Sequence, residues 1–484
     1  MNIHKVILKY NNSSTTFKAT VWYAICNIAQ KLSAFLLIPF LTRMLDTEDY
    51  GIYTVFLSWM ELFEIFATMR MYSNGYMAGA VRNESDQGRY TCSIQFLSII
   101  INTVALLAYH VFSPYISALV QIESKYLYLM FMSYYATSSI GIWTARQRVN
   151  NKYKSMTCVT LCYGVLAPVC SIIAAVISAD KLNAAITVRI VVQCLVATPF
   201  LLKNLFASSN KVVWSYCEEA LKYNIPLIPY YLSMVVLNSS DRIMIQRIVG
   251  EREAAIYGVA YSLSMAIFVF SGAINMAIQP WMFKEIKTGE NKDRTKTFNI
   301  GLTFITILNL MVLIVAPELM VIVASIDYYD AIWAMPPIVS SLIIMFIYQQ
   351  FLNVHFFFGK NKITFGASIM AATLNAALNL VCINLFGYIA AGYTTLVSYI
   401  VIAILYYFTM KKICADNDVE YGNYFSLKFI TIDVCIYAVL TIVISFLYPY
   451  PIIRYVFVLL VLAICFIRRE KIISLCKGSG LIWC

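Results

Sequence analysis

Long apolar runs alternate with short polar segments along the whole chain. Apolar windows recur near 21–41, 52–72, 92–113, 126–145, 157–178, 184–202, 223–246, 255–280, 298–317, 333–358, 363–386, 390–410, 429–447 and 452–467. A run of about 20 apolar residues spans the hydrocarbon of a bilayer as a helix, whereas a membrane β-strand needs only about ten residues of alternating character. Every backbone amide in hydrocarbon has to be paired within its own segment, so the pattern predicts an all-α polytopic membrane protein of about fourteen transmembrane helices.

The cations test this trace. With the N-terminus inside, the inner segments collect Lys5, Lys9 and Lys18, then Arg146, Arg148, Lys152 and Lys154, then Lys284, Lys287, Lys292, Arg294 and Lys296, with further groups to Lys477. The outer segments hold only Arg43, Lys125, Lys181, Arg247, Arg252 and Arg454. The asymmetry follows the positive-inside rule and predicts an even number of spans with both termini in the cytoplasm. The first run contains Lys31 and lacks a small-residue cleavage site, so it reads as a retained signal anchor.

Composition removes other classes. With 61% hydrophobic and 13% charged residues, the chain carries more apolar surface than a soluble core hides. Its net charge of +11 is scattered between apolar runs, which fits topology and not a nucleic-acid domain. The thirteen cysteines form no Cys-x-x-Cys pair and most fall inside apolar runs, where they act as small hydrophobes. There is no Walker A pattern, no His-Glu-x-x-His and no Cys/His ligand cluster, so the reading includes no enzyme chemistry, no cofactor and no metal. The outer loops are short, which places function inside the helical bundle.

An internal repeat organises the bundle. Thr42–Ser58 (TRMLDTEDYGIYTVFLS) and Gln246–Ser264 (QRIVGEREAAIYGVAYSLS) share an arginine, an acidic loop and a Tyr-Gly step at the mouth of the following helix. Both follow the helix that would open a six-helix unit, the arrangement of transporters built from two halves. The implied organisation is a cytoplasmic tail (1–20), an N-lobe of six helices (21–203), a C-lobe of six (204–412), and two further helices with a cytoplasmic tail (413–484).

The opening NIAQKLSAFLLIPFLTRMLDTEDYGIY, the stretch Ile225–Tyr261, the Tyr328-Tyr329 pair after Pro317, and Asn375–Tyr399 (NAALNLVCINLFGYIAAGYTTLVSY) carry a family likeness. Together they resemble polysaccharide flippases of the multidrug/oligosaccharidyl-lipid/polysaccharide exporter superfamily, of the O-antigen, Wzx-like type. The resemblance implies two pseudo-symmetric six-helix lobes plus two C-terminal helices. It implies an undecaprenyl-pyrophosphate-linked oligosaccharide as substrate, alternating access in the bacterial inner membrane, and association with a polysaccharide polymerase and chain-length regulator. A drug or cation antiporter of the same superfamily is one alternative, and a membrane polysaccharide polymerase or glycosyltransferase is another.

Ionisable residues inside spans have to face a partner or a wet cavity. Lys31 lies about 15 Å into the first span at 1.5 Å per residue. Glu61 and Glu64, spaced i and i+3, share a side of the second span and are placed to meet Lys31. Lys31, Arg189 and Arg242 are the candidate substrate-binding cations; Glu61, Glu64 and Asp241 are the candidate ion-coupling acids. Asp241 and Arg242 are adjacent and point about 100° apart, so they are expected to serve separate neighbours, at a depth that also suits interfacial anchors. Pro226 and Pro229 are candidate hinges near the start of the seventh span. Arg70 and Arg146 read as topology determinants, His355 as a packing or interfacial residue, and Asp433 as outside transport.

Overall fold

The computed structural model describes residues 22, 26, 37–150, 152–206, 212–288 and 295–456. Lys31, nearly all of the first span, most of the last span and both tails lie outside the described residues.

The described chain is helical and contains no strand. Its elements are α1 (Thr47–Thr68), α2 (Asn74–Arg82), α3 (Gln87–Val120), α4 (Ser124–Val149), α5 (Tyr153–Ile177), α6 (Lys181–Leu205), α7 (Trp214–Asn224), α8 (Ile228–Ile248), α9 (Glu251–Thr288), α10 (Thr295–Ile314), α11 (Ala316–Val323), α12 (Met335–Phe357), α13 (Asn361–Phe386), α14 (Ala390–Asp416) and α15 (Leu427–Phe446). The second to thirteenth apolar runs each coincide with one long helix. Short helices α2 and α7 have no apolar run of their own, and the apolar α11 follows directly on the run that ends at 317.

Among the described residues nine helices are long and apolar enough to cross a membrane. The long helices α1, α4 and α8 are not among these nine, because each carries polar side chains: Glu61 and Glu64 in α1, a Ser/Thr/Tyr-rich middle in α4, and Asn238 to Arg242 in α8. Polar spans are tolerable only where protein shields them from lipid. These three helices carry Glu61, Glu64, Asp241 and Arg242 among the sequence-predicted site residues.

The chain forms two compact units, Met1–Val235 and Val236–Cys484, and the boundary falls within α8. In the first unit α6 packs along both α4 and α5, and α3 packs along α4. Amphipathic α7 closes against α2 and α3, burying Cys217 and Ala220 beside Tyr76, Tyr90 and Met71. Arg82–Glu219 at 2.8 Å and Tyr216–Asp86 at 3.0 Å seal the rim of that cluster. In the second unit α12 is the central helix, packed on α9, α10 and α14. The apolar windows of α12 and α9 are 78% and 72% buried against 22% for α15, so α15 is peripheral.

Local sequence explains the junctions. Asp46 caps α1 by accepting the Asp49 N–H at 2.8 Å, and Glu48 and Asp49 place negative charge at the positive end of the helix dipole. Pro226 sits in the 3-10 turn Ile225–Leu227 and Pro229 in the first turn of α8, and the backbone stays right-handed helical at Asn224, Ile225 and Ile228, so the prolines stand where α7 passes through a tighter turn into α8. Gly250, at φ 153°, makes the tight turn from α8 to α9.

Arg454, an exception to the inside bias, is neutralised locally. Its guanidinium, 3% exposed, donates to Glu318 Oε1 and Oε2 at 2.8 Å each and to the Ile314 carbonyl at 2.7 Å. Because Glu318 is 29% exposed, Arg454→Met is expected to cost about 1 kcal/mol, below the several kcal/mol of a fully buried pair. Thermal unfolding in detergent checks this, and adding Glu318→Leu is expected to recover most of the loss.

Candidate functional site

In the first unit the polar centre is built where α1 ends. Thr68 is the last helical residue, and Met69 and Arg70 follow with φ of 46° and 44°, two successive left-handed residues other than glycine. Such a conformation costs roughly 1–2 kcal/mol per residue and persists only when surrounding contacts fix it. Here the Thr68 hydroxyl donates to the Glu64 carbonyl at 2.8 Å and accepts the Arg70 N–H at 3.0 Å, and Ser73 Oγ donates to the Arg70 carbonyl at 2.8 Å.

The reversal brings Tyr72 back along α1, so that its hydroxyl donates to the Glu64 carboxylate. The Tyr72 ring lies against Gly141 of α4, where a Cβ would fall 2.5 Å from the ring. Glu64 also feels the Arg70 charge and the charge of Glu61. Arg70 stacks 5.3 Å from the ring centre of Tyr231, whose hydroxyl lies 3.0 Å from Ser73 Oγ.

Glu61 is exposed while Glu64 is half-buried and bound by Tyr72, and Lys31 lies outside the described residues. Arg70 sits in the left-handed turn that ends α1, beside Glu64 and Tyr231. Arg189 in α6 donates to the hydroxyl of Tyr53 at 2.5 Å, which ties α6 to the first turns of α1. It is half-buried there.

In the second unit the centre is Asp241. Its side chain is 1% exposed, so it is no interfacial anchor. It accepts three hydrogen bonds: from Tyr257 at 2.7 Å, Asn379 at 2.6 Å and Thr395 at 2.9 Å. Asn375 donates to Thr395 at 3.2 Å, and Thr394 donates to the Asn379 side-chain oxygen. The carboxylate thus gathers α8, α9, α13 and α14 around a buried knot of amide, hydroxyl and carboxylate oxygens. Three donors to the charged form are what a buried carboxylate requires. Arg242 points elsewhere, stacking 5.1 Å from the ring centre of Tyr261 and bonding Ser239 Oγ at 3.2 Å.

Tyr72, Tyr257, Asn379 and Thr395 were not singled out from sequence. The signal for the last two was available: Asn375 and Asn379 recur at i, i+4 inside an apolar run, with Thr394 and Thr395 in the next. The repeat supplied Tyr257 as well.

The model of the family described as "Polysaccharide biosynthesis protein" matches residues 16–286, more than half of the chain. The chain belongs to this polysaccharide biosynthesis protein family. Protein 1 of the Lsg locus of Haemophilus influenzae is 22% identical over 409 residues, 82% of this chain and 98% of that protein. An uncharacterized membrane protein of Methanocaldococcus jannaschii is 25% identical over 219 residues, 44% of this chain and 48% of its own length. The fold of this family member is similar to that of the lipid II flippase MurJ in an inward closed conformation, with TM-score 0.74, 13% identity, and 93% of this chain and 100% of that one covered. It is also similar to an inward-facing MATE family multidrug resistance transporter of the MOP superfamily, with TM-score 0.63, 14% identity and coverage of 80% and 95%. Family and fold together make this polysaccharide biosynthesis protein a multi-pass membrane protein whose fold is similar to those of MurJ and the MATE transporter.

Proposed function

We propose that this family member carries an undecaprenyl-pyrophosphate-linked oligosaccharide from the cytoplasmic to the outer face of the bacterial inner membrane by alternating access, for O-antigen or capsular polysaccharide assembly. The observation that supports it best is the family match over 16–286 on a fold similar over 93% of the chain to a flippase of a lipid-linked precursor. Lys31, Arg189 and Arg242 are proposed as the cations that receive the pyrophosphate. Both termini are proposed to be cytoplasmic, and a polymerase with its chain-length regulator to take the product.

Coupling to an ion gradient is proposed to run through Asp241, with Glu64 and Glu61 as further acids. The support is chemical: a carboxylate ringed by amide and hydroxyl oxygens can exchange its donors for a small monovalent cation or a proton. Moving one charge across 100 mV supplies about 2.3 kcal/mol.

The test is deletion of the gene in its own organism, followed by assay of radiolabelled carrier-linked sugar. Expected is loss of surface polysaccharide with labelled intermediate held on the cytoplasmic face. Unchanged translocation with altered drug tolerance would replace this reading by a drug antiporter, and unchanged translocation with altered polymer length would overturn it in favour of a role in polymerisation.

A further inference from the structure

A second polar set in the Val236–Cys484 unit takes no part in the Asp241 knot. Asn275 of α9 is half-buried, and its side-chain oxygen accepts from Gln350 Nε2 at 3.0 Å and from Asn353 Nδ2 at 2.9 Å. Asn353 also donates to Gln350 Oε1 at 3.3 Å. Gln350 and Asn353, on α12, are 0% and 1% exposed.

These two buried amides fix which way Asn275 faces. A carboxamide is planar with oxygen and nitrogen on opposite sides of Cγ, so turning the oxygen into the protein turns the NH₂ out. Among the described residues no hydrogen bond is made by that NH₂. Asn275 is itself partly exposed, and its Nδ2 is not among the buried nitrogens that lack a partner, so the group reaches accessible space.

Holding α9 on α12 does not require this arrangement. The seam between them is apolar: Ile274 and Ile278 of α9 meet Phe346 of α12 around Gly301 of α10, where an added Cβ would stand 3.2 to 3.5 Å from all three. Two buried amides spent on aiming a third is the geometry of a positioned donor. Two unmet N–H groups facing hydrocarbon would cost a few kcal/mol, so the face is wet or filled by a polar ligand.

We propose that the Asn275 NH₂ is a sugar-binding site of the transported molecule, donating to a ring hydroxyl or acetamido carbonyl, with Gln350 and Asn353 as its positioning residues. The ligand it suits is an uncharged acceptor, because the donor is neutral and the described hydrogen bonds of the cluster involve amides alone. The assignment rests on the proposed flippase function and adds a recognition element for the sugar part of the substrate.

Asn275→Asp separates binding from packing, because a carboxylate still accepts from Gln350 and Asn353 but presents an oxygen where the NH₂ stood. The experiment measures binding of two probes to the purified full chain in nanodiscs: undecaprenyl pyrophosphate, and undecaprenyl-pyrophosphoryl-N-acetylglucosamine. Expected is a loss of about tenfold or more for the glycosylated probe, the scale of one or two hydrogen bonds, with the bare carrier unchanged. The unfolding temperature is expected to stay near wild type. Gln350→Leu is expected to show a smaller loss of the same selectivity, through a mobile Asn275.

Equal binding of the glycosylated probe by wild type and Asn275→Asp would overturn the inference. Equal loss of both probes would overturn the sugar assignment in favour of the pyrophosphate. If wild type binds neither probe, the flippase reading itself fails, which is a different result from either.

Discussion

Asp241→Leu is expected to abolish transport and to lower stability by about 2–5 kcal/mol, from three hydrogen bonds at roughly 0.6 to 1.7 kcal/mol each in a membrane interior. Leucine fills the volume but leaves the Tyr257 hydroxyl, the Asn379 amide and the Thr395 hydroxyl without their acceptor at a buried site. Asp241→Asn separates structure from coupling. It keeps the shape and one acceptor oxygen, so its unfolding temperature is expected to fall only part of the way while gradient-driven transport is lost. Unfolding in detergent and transport in proteoliposomes are to be measured on the same preparations. Normal transport by Asp241→Asn would reduce the oxygen knot to a packing device.

The second large effect is expected at Gly141. A valine there drives a methyl-bearing Cβ into the Tyr72 ring, 2.5 Å from its nearest atom, and overpacking of this kind costs about 1–3 kcal/mol. The displaced ring takes its hydroxyl away from Glu64. Transport is expected to fall about tenfold, equivalent to ~1.4 kcal/mol on the limiting barrier. Two further variants decide which consequence matters. Gly141→Val with Tyr72→Ala is expected to regain stability but not transport, while Tyr72→Phe, which keeps the ring and loses the hydroxyl, is expected to transport poorly at near wild-type stability. Full transport by Tyr72→Phe would show that the Glu64–Tyr72 bond is not needed.

The architecture was legible because hydrocarbon imposes a length and a polarity on every span. Apolar runs located the long helices α1, α3–α6, α8–α10 and α12–α15, and two of the stretches that carry the resemblance, the opening one and Ile225–Tyr261, lie within the residues 16–286 that match the family. Legibility failed where the chain leaves regular helix. The run 52–72 reads as one helix because Met69, Met71 and Tyr72 are apolar or aromatic, and nothing in their identity announces two left-handed residues. Without that turn, Tyr72 cannot be seen to reach Glu64. Pro226 and Pro229 mark an irregular turn, but the amphipathic α7 ahead of them has no apolar run to reveal it as a helix.

For the site, sequence found the ions and missed their partners. Glu64, Arg189 and Asp241 stand out as charges in apolar surroundings. What holds them (Tyr72, Tyr53, Tyr257, Asn379 and Thr395) is neutral, belongs to residue types common in this chain, and comes from helices up to 154 residues away. Which of these tyrosines and amides does so depends on helix rotation and pairing, which only tertiary packing determines.

The central claim is tested most directly with purified protein in proteoliposomes that carry a fluorescent undecaprenyl-pyrophosphate-linked oligosaccharide in both leaflets, quenched from outside. A flippase makes the whole population accessible to quencher, and Asp241→Asn stays near the half that protein-free vesicles show under an imposed gradient. Quenching that stops at the protein-free level with the wild-type chain, under proton and sodium gradients of either direction, would contradict the account.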